Sequence, residues 1–205
     1  MNLSSELLLA MTLFAFVTSI TPGPNNMMLL ASGVNYGFRL TLPHMLGISI
    51  GHFVMLIAVG VGFGELLLTL PSIYVAIKVL GFVYVGYLAW NIATSNSNSS
   101  ANGVENNFKP ISFFGAAAFQ WVNPKAWGMA IGFFSNYITK EADIATIVIS
   151  SLLFSIINFP CIAAWALLGV RARKLFEVNT YRKIFNITMA VLLIAAMIPS
   201  LISLN

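Results

Sequence analysis

An apolar run from Leu7 to about Tyr36 carries at its middle the segment Thr21-Pro22-Gly23-Pro24-Asn25-Asn26. The run is long enough to cross a bilayer, which takes about 20 apolar residues. Proline lacks an N–H and collides with the preceding turn, so a helix entering at Leu7 stops near Ile20. Gly23 can take whatever backbone angles a corner needs, and Pro24 suits the first position of a second helix. The segment therefore predicts two half-helices meeting at membrane depth. Bare backbone persists there only where protein covers it or where it lines a polar cavity. Broken helices near the midplane build transporter binding sites, which makes this break a candidate site. A single Pro-kinked helix is the competing reading of the same residues.

Composition decides the class. The chain is 59% hydrophobic and 8% charged, against about 25% charged in soluble domains, which excludes an apolar core under a charged shell. An all-α integral membrane protein follows, with its 205 residues in a single domain and room for about six spans. The lone cysteine, Cys161, excludes an internal disulfide and a CxxC site and fits a small buried filler. With no basic n-region ahead of the first hydrophobic segment, a cleaved signal peptide is not expected.

After Arg39 in a short loop, a second apolar run begins past Pro43 and lasts to about Gly64. A third runs from Ile73 to Ala93, with Trp90 as an interface anchor. Residues 94–107 are rich in Ser and Asn and predict a solvated linker. A fourth span reaches from Pro110 to about Tyr137, interrupted at Asn123-Pro124. The fifth runs from about Ala145 to Gly169 with a kink at Pro160, and the sixth from about Ile184 to Ser203. With the N-terminus outside, the inner loops hold Arg39, Lys109, Arg171, Arg173, Lys174, Arg182 and Lys183, and the outer loops only Lys140. That bias places both termini outside, in the periplasm of a bacterium. It also accounts for the net charge of +4 without nucleic acid; the basic cluster suits anionic lipid. The linker at about 94–110 separates one three-span half, about 1–93, from another, about 111–205. The first span of each half is broken by proline, the pattern of two inverted repeats with a site at their interface.

The segment Thr21–Asn26, followed by Gly37-Phe38-Arg39, Gly47-Ile48-Ser49-Ile50-Gly51 and later Asn123-Pro124-Lys125, resembles the LysE/RhtB family of amino-acid exporters over almost the whole chain. The nearest branch is that of the cysteine and O-acetylserine exporters. The resemblance implies a secondary exporter in the bacterial inner membrane, driven by proton antiport. Small neutral amino acids or derivatives are the implied substrates; homoserine, threonine and leucine stay open.

The residues supply a chemistry for such a substrate. Asn123 is a good N-cap, Pro124 a good first helical residue, and Lys125 follows directly. Helices starting at Pro24 and Pro124 would present unpaired N–H groups and partial positive charge to a carboxylate. Carbonyls left free around Ser19 to Thr21 would accept from an ammonium, and a zwitterion carries both partners. The expected site is thus Thr21, Pro22, Gly23, Pro24, Asn25, Asn26, Gln120, Asn123, Pro124 and Lys125, with Asn25, Asn123 and Lys125 around the carboxylate. Lys125 lies ~20 Å along its span, where a lysine is expensive and points to function; snorkelling is the alternative. Lys78, nearer a helix end, is expected to snorkel. His52 and Lys125 are the candidate proton carriers, His52 equally a helix-packing imidazole and His44 its neighbour on one broad face. Gln120, Asn158 and Asn186 suit interhelical hydrogen bonding as well. Asn26, Gln120 or His52 can bond a substrate side chain. The spacings Gly47/Gly51 and Gly128/Gly132 suit close helix packing and leave a homodimer open.

The carboxylates inform by position. Glu6, Glu65, Glu141 and Asp143 fall at outer ends, Glu105 and Glu177 in inner loops. A cationic side chain would want a buried carboxylate partner, so a neutral substrate is expected. Trp121, Trp127, Met27, Met28 and Phe119 flank the breaks and argue for a small pocket. A soft-metal exporter using Met27, Met28, Met45, Cys161 and both histidines is the minor alternative. No phosphate loop, H-E-x-x-H or paired carboxylates occur, so neither an enzyme nor a cofactor is expected. A non-transporting scaffold would leave both breaks and Lys125 unexplained.

Overall fold

The computed structural model describes residues 4–64, 69, 71–95, 110–176 and 178–198, and these contain helices and no strand. Ser4 opens α1 (Ser5–Ile20) by accepting from the Leu7 N–H at 3.2 Å. Thr21 to Gly23 are extended, and α2 (Pro24–Tyr36) leaves the break at 54° to α1. The first span is therefore two half-helices. Gly23 has φ −175°, which any residue adopts, so the corner makes no use of glycine's backbone freedom. Its lack of a side chain matters for another reason, given below.

Glycine's freedom is needed at Gly37, whose φ of +81° ends α2 and lets α3 (Phe38–Gly60) start on the next residue. This corrects the expectation of a loop at Arg39 and a helix beginning after Pro43. Arg39 is in the first turn of α3 and Pro43 lies inside it. The Thr41 hydroxyl donates to the Gly37 carbonyl at 2.8 Å and lies 2.8 Å from the Ser32 hydroxyl, pinning the corner. Further along come α4 (Pro71–Ala93), α5 (Phe113–Gln120), α6 (Pro124–Tyr137), α7 (Ile144–Ala172), a 3₁₀ turn (Arg173–Phe176) and α8 (Asn179–Ala195). Ser112 caps α5 and Asp143 caps α7, accepting from Gly115 N–H at 3.1 Å and Thr146 N–H at 2.9 Å. Hydrogen bonds from the Thr146 side chain and then its backbone N–H hold the exposed Asp143 carboxyl below its usual range.

Among the described residues α3, α4 and α7 are long and apolar enough to cross a membrane, and the bent pair α1–α2 makes a fourth candidate. Helices α5, α6 and α8 have 8, 14 and 17 residues as described. Residues 96–109 of the expected linker (about 94–110) and the end of the sixth span, from 199 to Ser203, lie outside the described residues, as do Glu65, Glu105, Lys109 and Glu177. Large apolar side chains such as Leu80, Val83, Trp90, Ile156 and Val191 face outward, a surface suited to lipid. The chain is a multi-pass membrane protein.

Close helix approach positions the breaks. Helix α2 crosses α7 where Gly33 meets Gly169: a Cβ on Gly33 would fall on the Ala166 carbonyl oxygen, and one on Gly169 on that of Leu30. Helix α3 meets α5 through Gly47 and Gly51, whose Cβ atoms would strike the Phe113 carbonyl and the Ala117 backbone. That GxxxG spacing is an internal seam. Gly128 borders open space and Gly132 faces the Phe14 ring, so the second spacing is no such seam. The broken helices α1 and α2 both pack on α7, while α5 and α6 both pack on α3; α3 packs on α7, and α4 on α8. Lys78 is buried at 5% exposure and engaged, so it does not snorkel to a helix end as expected.

Candidate functional site

The two breaks converge on a cavity of about 350 Å³, its mouth included. Its wall brings together Gly23, Asn25, Asn26, His52, Gln120, Asn123 and Lys125 from the expected set, and adds Thr18, Ser19 and Asn158. Ile48, Ala126, Met129 and Ile162 supply its apolar side. Thr21 and Pro22 contribute carbonyls beside it, and Pro24 and Pro124 serve as first residues of α2 and α6. Thr18 went unread, Ser19 was read only for its carbonyl and Asn158 chiefly for interhelical bonding, because a hydroxyl or amide inside an apolar helix looks the same whether it packs or lines a cavity.

Lys125 ties the second break to the first. Its ammonium donates to the Thr21 carbonyl at 2.7 Å, the Thr21 hydroxyl at 3.0 Å and the Pro22 carbonyl at 3.4 Å. A cation at the C-terminal end of α1 is favoured by the helix dipole. The Asn26 amide donates to Ser19 and Thr21 carbonyls at 2.9 and 2.8 Å, and the Trp165 indole to the Ile20 carbonyl at 3.0 Å. The end of α1 is thus capped by side chains, which corrects the expectation that these carbonyls stand free. Lys125 occupies the place foreseen for the substrate's ammonium.

The two N-termini differ. At α6, Asn123 Oδ1 accepts the Lys125 backbone N–H at 3.1 Å. At α2, Gly23 has no side chain to cap with, and no side-chain hydrogen bond closes that helix start. Its partial positive charge and amides therefore face the cavity beside the Lys125 ammonium. None of the cavity's lining residues is acidic. Asn25 and Gln120 form a reciprocal amide pair at 2.9 and 3.3 Å, joining α2 to α5, and Gln120 also donates to the Ala116 carbonyl at 2.9 Å. Asn158 Nδ2 donates to Ser19 Oγ at 2.9 Å, leaving its own buried Oδ1 without a partner.

His52 lines the cavity at 3% exposure, packs its ring 5.2 Å from Phe154 and, beside the Ala126 backbone, makes no well-aligned hydrogen bond on either nitrogen. His44 is buried and unpartnered but lies outside this wall. The aromatic residues expected to narrow the pocket do not line it. Trp127 donates to the Trp121 carbonyl at 2.9 Å and stacks on Phe63, which Trp121 meets edge-on, while Met28 and Phe119 share a separate apolar cluster. Ile48, Met129 and Ile162 are the residues that limit its size. Met28 and Met45 sit in different clusters, and among the described residues no three His, Cys, Asp or Glu side chains converge.

Gly23 keeps room for Lys125. A Cβ there would lie 2.6 Å from Lys125 Cδ and 3.0 Å from Nζ. Gly23→Ala should fold normally, since the backbone is unstrained, but should push the lysine off Thr21. We expect substrate KM to rise several-fold with an unchanged Tm in detergent; an unchanged KM would show that the contact is dispensable.

The family model described as LysE type translocator matches residues 16–198. The chain is 31% identical over 194 residues, 94% of its own length and 96% of theirs, to proteins named cysteine/O-acetylserine efflux protein from Escherichia coli strain K12 and Shigella sonnei strain Ss046. The same figures hold for the protein of that name from Escherichia coli O6:H1 strain CFT073. No solved structure matches the chain.

Proposed function

Because the chain belongs to the LysE type translocator family, and is therefore a transporter rather than an enzyme, we propose that it exports small neutral amino acids such as cysteine or O-acetylserine by proton antiport. The observation that carries this reading is a cavity at two helix breaks holding one cation, one uncapped helix start and no carboxylate. The substrate carboxylate docks on the α2 amides and the Lys125 ammonium. As Lys125 turns toward that carboxylate, the substrate's ammonium takes over the Thr21 and Pro22 carbonyls. Asn25 and Gln120 hold the two breaks together around it, while Asn26 braces the first break and Asn123 the second. His52, in the cavity wall, and Lys125 are the groups at which proton exchange couples to the cycle.

Architecture supports the reading. Each broken helix packs on the second long helix of the other half, α1 and α2 on α7, α5 and α6 on α3. That reciprocity is what two inverted three-helix repeats require, with six spans and both termini in the periplasm of an inner-membrane protein. Gly128, bordering open space on α6, leaves that face to a homodimer contact in this reading. Overexpression should raise resistance to toxic analogues of cysteine or serine and leave sensitivity to the arginine analogue canavanine unchanged. Canavanine resistance alone would overturn the charge argument. Homoserine, threonine and leucine stay within reach, because a methylene in a pocket discriminates by only ~1–3 kcal/mol.

A further inference from the structure

A second cavity, of about 410 Å³ with its open mouth included, lies at the other end of α2. Ser32, Asn35 and Tyr36 from α2 face Asn91 and Ser95 across it. Every polar group named is neutral, so the lining solvates a zwitterion without trapping a charge. Asn35 and Asn186 pair at 2.8 and 3.3 Å, and Asn186 donates to the Ser95 carbonyl at 3.1 Å, tying α2, α8 and the end of α4 into one frame.

Helix α2 connects the two cavities. Asn25, Met28, Ser32 and Asn35 follow the i, i+3, i+7, i+10 spacing of one helix face. Asn25 sits in the first cavity's wall, Ser32 and Asn35 in the second's. From Asn25 to Ser32 is about 10 Å along the axis at ~1.5 Å per residue. Between them Met28, 2% exposed, packs in one apolar cluster with Phe119, 1% exposed, whose neighbour Gln120 pairs with Asn25. An unbranched thioether can change rotamer at small cost, which suits a movable plug.

Resting on the export reading above, we infer that this second cavity is the cytoplasmic vestibule through which the zwitterionic amino acid reaches the central cavity, with Met28 and Phe119 as the closed gate. The frame through Asn35, Asn186 and Ser95 holds the vestibule's walls while the gate side chains move. Passage along one face of α2 takes the substrate between neutral amides and hydroxyls at either end, with only the gate between them apolar.

The test uses Asn91→Cys in a Cys161→Ser chain, reacted with a membrane-impermeant charged methanethiosulfonate. Inside-out vesicles present the cytoplasmic face, right-side-out vesicles the other. Before modification, O-acetylserine uptake by Asn91→Cys sets the baseline against which the modified protein is read. After modification in inside-out vesicles uptake should fall at least tenfold, and added O-acetylserine should slow the labelling. A cysteine at Leu175, 74% exposed and off the cavity, should label with no loss of uptake. Full labelling at Asn91→Cys with normal uptake, labelling from the periplasmic face alone, or no labelling from either face would each overturn the vestibule. Failure of the unmodified parent to move any neutral amino acid would instead sink the export reading, so the two failures are distinguishable.

Discussion

Lys125→Ala should cut export by one to two orders of magnitude while expression and membrane insertion stay normal. Three oxygens of the first break receive this one ammonium. A hydrogen bond to a charged group is worth about 1.5–3 kcal/mol, and 1.4 kcal/mol is a factor of ten. The folded state loses less, because Asn26 still donates to the Ser19 and Thr21 carbonyls. Lys125→Arg should recover only part of the activity, since a planar guanidinium is larger and stays protonated. Purified Lys125→Ala transporting at the wild-type rate would reduce the lysine to a helix cap, and the anion site would rest on α2 alone.

Gly33→Leu should be the most damaging substitution for the fold. The new Cβ would fall on the Ala166 carbonyl oxygen and lie 3.0 Å from Val170 N and 3.1 Å from Gly169 Cα. These are backbone atoms and cannot swing aside as Lys125 can beside Gly23. Overpacking typically costs about 1–3 kcal/mol, occasionally more, and here it parts α2 from α7. A marked drop in Tm in detergent, with a fall in monodisperse protein, is the expected result, and Gly169→Leu should behave alike. Gly128→Leu, bordering open space, should leave Tm unchanged. Equal Tm values for Gly33→Leu and Gly128→Leu would contradict the packing described.

These two residues mark what the sequence discloses and what it hides. Lys125 and the two proline breaks were legible because each violates a strong rule, a charge or a missing N–H in an apolar run. Gly33 and Gly169 break no rule visible along the chain; they matter only because residues 136 positions apart in sequence meet face to face. The boundary of α3 was misplaced for a related reason: Pro43 sits in the second turn of a helix that runs on through it, and the start is set by Gly37 six residues earlier. The candidate site was legible as residue types and not as bonding. Asn26, Lys125 and Trp165 cap carbonyls that looked free, and Trp121 and Trp127 turn toward Phe63 rather than the cavity. Lys78 likewise looked like an end residue until the packing around α4 buried it.

The central claim is that the cavity between the breaks carries small neutral amino acids out of the cell. Uptake of radiolabelled O-acetylserine into inside-out vesicles with an acidic lumen measures it directly. The account predicts uptake above the level of vesicles lacking the protein, competed by unlabelled cysteine but not arginine, collapsed by a protonophore and lost in Lys125→Ala. Uptake of arginine with none of O-acetylserine, cysteine or serine would contradict it.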